Sequence, residues 1–435
     1  MIGRVQYVLK KMEQKKTSTS EFRKAEQILR KLFVNCNEAE NRKQIKEVRK
    51  IIRKQQIIER RRFYLEVIVA GILVILALSI SVVHIATQTV RMNQKKTVHK
   101  EIQQNDASGK ADLQTLSGET AEKKPVELFM SFTGDCILGT DEFFAWDTGL
   151  NAYHELYGGS YFLDNVRDIF EQDDLTVINM EGTLTEETIR LEKQFAFKGP
   201  PEFINILSGS SIEAANVANN HSHDYGEKSF QDTVELLEKN RIAAFGYDEV
   251  RVLEVEGIKV GLFGIYELDD HLERIPQVKE NIRKLKQKDA DVIVAVFHWG
   301  NELEAVPDSN QTTLAHLAID EGADLVIGHH PHVLQGIEEY KGKNIAYSLG
   351  NFCFGGNTRP TEMDTIIFQQ KFVISSKKEI VDSEITVIPC RVSSEAEFNN
   401  YQPTPLTGAE AQQTIDKIQL RSPFDKVPQM NVYQS

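Results

Sequence analysis

The sequence predicts an α/β fold, and three observations carry the prediction. From 125 to 392, short β-prone runs alternate with helical stretches at 229–240, 276–288 and 311–321, the pattern of a sheet with helices laid on it. Six polar motifs each begin where an apolar run stops: FTGD (132–135), INMEG (178–182), NNHSHDYG (219–226), FHWGNE (297–302), GHHPH (328–332) and SLGNF (348–352). Two late β-prone runs, 364–375 and 379–389, follow one another without a helix, so the sheet is expected to finish antiparallel.

Before this body lie three segments of different character. The first 66 residues hold 19 Lys and Arg against 8 Asp and Glu, and the rest of the chain holds 32 against 56. A head of +11 thus precedes an acidic remainder of −24, a balance that argues against nucleic acid as partner. Residues 1–62 read as a basic helical region. Ser18 and Glu21 fit a capping box, followed at helical spacing by Phe22, Ala25, Leu29, Leu32 and Phe33. A break at Asn35, Cys36 and Asn37 precedes a second pattern at Ile45, Val48, Ile51 and Ile52. The head is either a docking surface for a cytoplasmic partner or a solvated basic helix that sets topology against anionic lipid.

Residues 67–90 carry no Asp, Glu, Lys or Arg, and 67–83 are almost wholly apolar. At about 1.5 Å per residue such a helix crosses a hydrocarbon core of about 30 Å, so 63–90 is expected to be transmembrane. It starts too deep for an ordinary signal peptide. Arg60, Arg61 and Arg62 abut it, with Phe63 and Tyr64 at the interface. The positive-inside rule puts the N-terminus in the cytoplasm and the large domain outside the cell. Arg91, Lys95, Lys96 and Lys100 on the far side are outnumbered by the positive charge before the span. Residues 91–124 form a polar spacer, 125–427 the folded body, and 428–435 a tail.

Asp, Glu, Asn and His at strand ends converge where open α/β sheets bind ligands, and they suit a hard or borderline divalent cation. Singly the signals are ordinary. Asp135 sits in a common Gly-Asp turn, His298 alone reads as a satisfied core histidine, and Asn219–Asn220 fits a turn as well as a ligand. The strongest motif is His329-His330-Pro331-His332, because three histidines in four residues are rarely structural. In an extended segment His330 and His332 would share a face. Taken together, with each group at a strand terminus, the motifs predict a metal site. Cysteine usage builds no disulfide framework, although Cys136 and Cys353 both fall beside strand-end motifs.

The order Gly-Asp, Asn-x-Glu, Asn-His, His and Gly-His-x-x-His resembles a variant of the calcineurin-like metallophosphoesterase pattern. The fuller set NNHSHDYG, HWGNE, GHHPHVLQG and SLGNF is similar to the CapA/PgsA family of capsule proteins, membrane-anchored components of poly-γ-glutamate synthesis in Gram-positive bacteria. The resemblance covers residue 126 to the end of the body. It implies a layered sheet core with helices outside and two metals bridged by Glu181. One metal would be held by Asp135, Glu181 and His332, the other by Glu181, Asn220, His298 and His330. His221 would be the general acid, and Mn²⁺, Fe or Zn²⁺ would suit the ligands. The chain departs from the common pattern: Asp-x-His has become Asp135-Cys136-Ile137, and Glu181 stands for the usual bridging Asp. Lys198, in FKGPP, and Asn351 are candidates for contact with an anionic substrate, ordinary surface being the equal alternative for Lys198.

The function expected from this resemblance is assembly, export or anchoring of an anionic polymer such as poly-γ-glutamate, within a membrane-bound synthesis complex. The alternative is an extracellular metal-dependent hydrolase of phosphate esters or amides. A third reading is a binding module whose metal organises a pocket. The chain after residue 66, at −24, cannot grip a polyanion by its own charge, so any such grip must come through bound cations.

Overall fold

The computed structural model describes residues 124–145 and 148–433. The expected head (1–62) and transmembrane helix (63–90), and the spacer apart from its last residue, lie outside the described residues. Among the described residues no helix is long and apolar enough to cross a membrane.

In chain order the strands are β1 (Val126–Ile137), β2 (Leu175–Met180), β3 (Thr183–Leu184), β4 (Lys198–Gly199), β5 (Ala214–Asn216), β6 (Ala243–Phe245), β7 (Arg251–Val255), β8 (Ile258–Tyr266), β9 (Val292–His298), β10 (Leu325–His329), β11 (Ile337–Tyr340), β12 (Lys343–Ala346), β13 (Asn351–Phe354), β14 (Asp364–Ile374), β15 (Ile380–Arg391), β16 (Thr404–Pro405) and β17 (Met430–Val432). They form two main sheets. One has nine strands, β16-β15-β14-β1-β2-β5-β6, with β13 beside β1 and β17 beside β15. The other has six, in the order β11-β12-β10-β9-β8-β7. The short β3 and β4 pair with each other.

Period-two alternation explains the layering. Leu128, Met130 and Phe132 of β1 face Val292, Val294 and Val296 of β9 and Leu325 and Ile327 of β10 in one buried cluster between the sheets. The intervening residues face outward onto helices. Ile178 and Ala215 join Leu150 and Leu237, from the helices Leu150–Tyr157 and Glu227–Lys239, on the nine-stranded sheet. Ile293, Ala295 and Phe297 pack with Val278, Ile282 and Leu285 of the helix Ile275–Gln287 on the six-stranded one. The result is helix, sheet, sheet, helix. Each fully buried Val, Leu or Phe contributes about 1.5–3 kcal/mol to holding it.

The expected antiparallel finish is present: β14 pairs with β15 from Asp364↔Arg391 to Ile374↔Ile380. The helix expected over 311–321 starts earlier, at Ser309. Asp308 caps it by accepting from the backbone N–H of Asn310 and Gln311, and Gln311 accepts in return from the Asp308 N–H. Gly322, at φ 114°, ends it in a left-handed turn.

Gly328 shows how tightly the strand ends are drawn together. A Cβ there would sit 2.0 Å from the Tyr347 carbonyl oxygen and 2.5 Å from Trp299 Nε1, two groups that hydrogen-bond each other at 2.9 Å. Gly328→Ala is therefore expected to destabilise the fold by ~1–3 kcal/mol through overpacking. A thermal melt unchanged from the parent would show that the backbone there is free to retreat.

Candidate metal centre

Register places the candidate ligands before any side chain is considered. Asp135, near the end of β1, stands opposite Asn179 of β2 and Asn351 of β13. Glu181 follows β2 directly. In the other sheet His298 closes β9, opposite His329 of β10 and Tyr266 of β8. The chain then crosses between sheets, from β12 through Ser348–Gly350 to β13. The motifs thus come from two sheets whose carboxyl edges meet.

Glu181 is at the middle. It is fully buried, and neither carboxylate oxygen has a hydrogen-bond partner. Its Oε1 lies 3.7 Å from Nε2 of His298, 3.7 Å from Nε2 of His332 and 3.9 Å from Nε2 of His221. Those separations are too long for hydrogen bonds. Two groups of possible ligand atoms share the carboxylate: Glu181, His298 and His330, and Asp135, Glu181 and His332, each with all atoms within 4.8 Å of one another. Asn220, half-buried, meets the first group with its Oδ1 2.9 Å from His298 Nε2. Of the ten buried side-chain polar atoms without a hydrogen-bond partner among the described residues, four belong here: both oxygens of Glu181, His330 Nδ1, and His329 Nδ1, which has only an ion-pair approach to Asp135.

This donor set fits divalent cations. Native proteins satisfy nearly all buried polar groups, and carboxylates and imidazoles aimed at a common gap are what such ions take. An ion near His298 and Asn220 would replace the proton that now joins them.

The electrostatics agree with that geometry. Burial pushes the Glu181 carboxyl well above the ordinary range. Burial also acts on Asp135, but the imidazoles of His329 and His332 outweigh it and hold that carboxyl well below its usual value. Burial, with neighbouring histidines, takes His298 well down and His330 to about 3. For His332 burial is opposed by Glu181 and Asp135, which lift it to about 10.

The route to this arrangement differs from the expected one in the HHPH segment. It is not extended: His330 has φ 96° and His332 φ 56°, left-handed values that are uncommon outside glycine. Strict alternation therefore does not apply. His330 and His332 reach different groups of the centre with their rings 5.6 Å apart. His329 also turns inward, with Nδ1 3.2 Å from Asp135 Oδ1.

His221 borders the centre as half of a dyad. Its Nδ1 lies 2.7 Å from Asp224 Oδ2; an ionised carboxylate only accepts, so Nδ1 carries the proton and Nε2 faces Glu181. Burial holds its pKa down against the pull of Asp224. Lys193 donates to Asp224 Oδ1 at 2.7 Å and to the Asn220 carbonyl at 2.7 Å. The Phe197 ring packs on the imidazole at 4.6 Å.

Two candidates have other partners. Lys198 donates to the Glu187 carbonyl and lies 4.5 Å over the Tyr225 ring, which commits its charge to the surrounding loop. Asn351 is buried, with Oδ1 2.9 Å from His332 Nδ1, so it orients that imidazole. Sequence reasoning assigned no role to Asn179, Asp224 or Lys193. Asn179 donates to Asp135 Oδ1 at 2.8 Å and accepts from Asn216 Nδ2 at 2.9 Å, fixing the carboxylate from behind. The three-residue spacing of His221 and Asp224 was the signal for the dyad; Lys193 sits on an irregular segment and left none.

Glu181→Gln should separate the two states of this centre. A carboxyl whose folded pKa exceeds its unfolded value destabilises the fold once pH rises through the unfolded value. In chelator at neutral pH the variant is therefore expected to be more stable, by ~1–3 kcal/mol. It should also lose the rise in melting temperature that Mn²⁺, Fe²⁺ or Zn²⁺ gives the parent. Calorimetry in chelator and then with each cation reads both effects, and an undiminished cation response would remove Glu181 from the centre.

Comparison with known proteins follows from these positions. A family model described as bacterial capsule synthesis protein PGA_cap matches residues 129–356, a span that contains each candidate ligand. The PGA biosynthesis protein CapA of Bacillus subtilis (strain 168) is 28% identical over 280 residues, which cover 59% of this chain and 72% of that protein. The capsule biosynthesis protein CapA of Bacillus anthracis is 27% identical over 258 residues, 52% of this chain and 60% of that one. Among solved structures, a hypothetical protein from Thermus thermophilus matches with a TM-score of 0.37 at 16% identity, covering 60% of this chain and 99% of its own. A 5'-nucleotidase from Candida albicans SC5314 matches with 0.36 at 10% identity, covering 69% and 58%. The family match over more than half of the sequence decides the matter: this chain belongs to the bacterial capsule synthesis proteins of the PGA_cap type.

Proposed function

We propose that this protein takes part in the synthesis, export or anchoring of poly-γ-glutamate or a related anionic capsule polymer. In this proposal it is a single-pass membrane protein with its N-terminus in the cytoplasm, its body outside, and a binuclear metal centre in that body. The name of the Bacillus subtilis relative supplies PGA, and that of the Bacillus anthracis relative a capsule. One observation carries the centre: a fully buried Glu181 with both oxygens unpartnered, shared by two ligand groups. Asp135, Glu181 and His332 would hold one ion, and Glu181, Asn220, His298 and His330 the other. Bound there, a pair of divalent cations supplies Lewis-acid stabilisation of an anionic oxygen and activation of water.

The protein's own groups do the rest. Asn179 and Asn351 fix Asp135 and His332 in orientation. Asp224 holds His221 in the tautomer that turns Nε2 inward, where it can take up a proton or return one to a group bound over Glu181. In an acidic body, the centre is the place where an anionic chain finds positive charge. The His221–Asp224 dyad favours a second reading, hydrolysis of an envelope phosphate ester or amide, because positioning a proton carrier serves bond cleavage more than passive binding.

Two measurements test the proposal. Elemental analysis of the full chain is expected to find about two transition-metal ions per molecule, lost in Asn220→Ala/His330→Ala; a metal-free protein after supplementation with Mn²⁺, Fe²⁺ and Zn²⁺ would defeat the centre. In a polymer-producing host lacking its own CapA-type protein, the parent chain should restore poly-γ-glutamate. If His221→Ala restores it equally, the role is assembly; if yield falls ~100-fold or more while the protein stays folded and membrane-bound, chemistry at His221 is required.

A further inference from the structure

Large apolar side chains left in water are usually scattered singly, and a concentration of them marks a contact. Among the described residues, six of the fourteen exposed large apolar side chains stand on the loops next to the metal centre. Phe143 and Ile189 are 76% and 78% exposed; Leu191 and Phe195 share the 185–197 segment with Ile189, and Leu303 and Val306 stand on the loop after β9. These loops border the centre. The 185–197 segment supplies Lys193 to Asp224 and ends in Phe197, whose ring packs on His221. Leu303 N–H donates to the Pro331 carbonyl, inside HHPH, at 2.8 Å.

The apolar groups are held out in water by specific contacts. Arg190 donates to the buried Asp141 at 2.9 Å and lies 4.9 Å over the Phe143 ring. Phe195 stacks on Phe197 at 6.3 Å and meets Phe144 at 5.9 Å. An aromatic ladder therefore runs from His221 to the surface.

We infer that this apolar mouth rests on a lipid bilayer, so that the group drawn into the centre is the anionic head of an amphiphile whose tail stays in the membrane. The head-group half rests on the metal centre proposed above; the lipid half rests on the mouth alone. The chain outside the described residues makes the contact reachable. The body begins at Val126, and Asp135 stands nine residues further along β1, ~30 Å away at about 3.3 Å per residue. The stretch 91–124 is long enough in residue count to reach ~100 Å when fully extended. It can therefore lay the far rim against the membrane expected at 63–90. The spacer is itself polar and cannot be the cover. The acidic body, part of a remainder at −24, makes attachment through anionic lipid charge unfavourable, whereas apolar insertion needs no charge.

The test uses the full chain reconstituted in phosphatidylcholine vesicles. Cys36→Ser leaves only the buried Cys136, Cys353 and Cys390, so a fluorescent maleimide reports Ile189→Cys or Leu303→Cys. Val381→Cys is the control: it is exposed and lies where the start of β15 pairs with the end of β14, beside the first residues of β1 and away from Asp135. Lipid-borne doxyl groups are expected to quench the labels at 189 and 303 at least twofold more than at 381, with a blue shift. Phe143→Ser combined with Ile189→Ser should weaken the effect at 303. Replacing part of the lipid by phosphatidylglycerol should leave the quenching equal or lower. Equal quenching at all three positions, a requirement for phosphatidylglycerol, or shielding only when another protein is added would each overturn the inference. Metal content is measured on the same samples: quenching in a chain that binds no metal would remove the head-group half and uphold the lipid contact.

Discussion

Glu181 is a carboxylate that the fold places out of reach of water and provides with no hydrogen-bond donor. Burying a polar group unpaired costs about 2–7 kcal/mol, and an ionised one more, so its surroundings must hold an alternative. They do so with imidazoles. Three Nε2 atoms stand 3.7–3.9 Å from one of its oxygens, close enough to share a cation and too far to share a proton. Much of the local architecture keeps those atoms in that relation.

The constraint propagates outward through the packing. Imidazoles from one sheet can face a carboxylate from the other only if the two carboxyl edges come together. Bare backbone allows that approach, as at Gly134, where a Cβ would lie 2.2 Å from the Gly350 carbonyl oxygen. The HHPH segment carries backbone strain at His330 and His332, of order 1–3 kcal/mol per residue in such regions. That strain is held by Asn351, by the Asp135 contact to the His330 N–H at 3.2 Å, and by the surrounding core. Behind the ligands, Asn179, Asn216 and Asn219 form a buried amide network. The same pocket that leaves four polar atoms unpartnered pairs their neighbours in detail, and that contrast separates a ligand site from a packing defect.

Much of the fold was legible. Strand positions followed from apolar runs, but which face of β9 and β10 looks to the other sheet did not, because both strands are apolar on both faces. Boundaries were less legible: β1 extends to Ile137 and β10 to His329, because the polar strand ends that read as loop are still paired to neighbours. The division into two sheets was not readable, since pairing depends on partners far away in sequence. The site was legible as a set of residue types at strand ends. Asn351 and Lys198, picked out as polar groups near motifs, are bonded to His332 and to Glu187 with Tyr225; proximity in sequence does not say which neighbour takes a polar side chain.

The amino-acid sequence by itself determined the α/β alternation, the acidic body, and the inventory of Asp, Glu, Asn and His at strand termini, because these depend on local periodicity and on residue chemistry alone. Only the tertiary structure decided that Glu181 is shared by two ligand groups, that His330 and His332 part company through left-handed backbone, and that Asp224 and Lys193 back His221. Each of these depends on sub-ångström to few-ångström placement of groups, some close in the chain and others, such as Glu181 and His298, more than a hundred residues apart. Such distances follow from how two sheets pack, a property of the whole core that no local stretch of sequence contains.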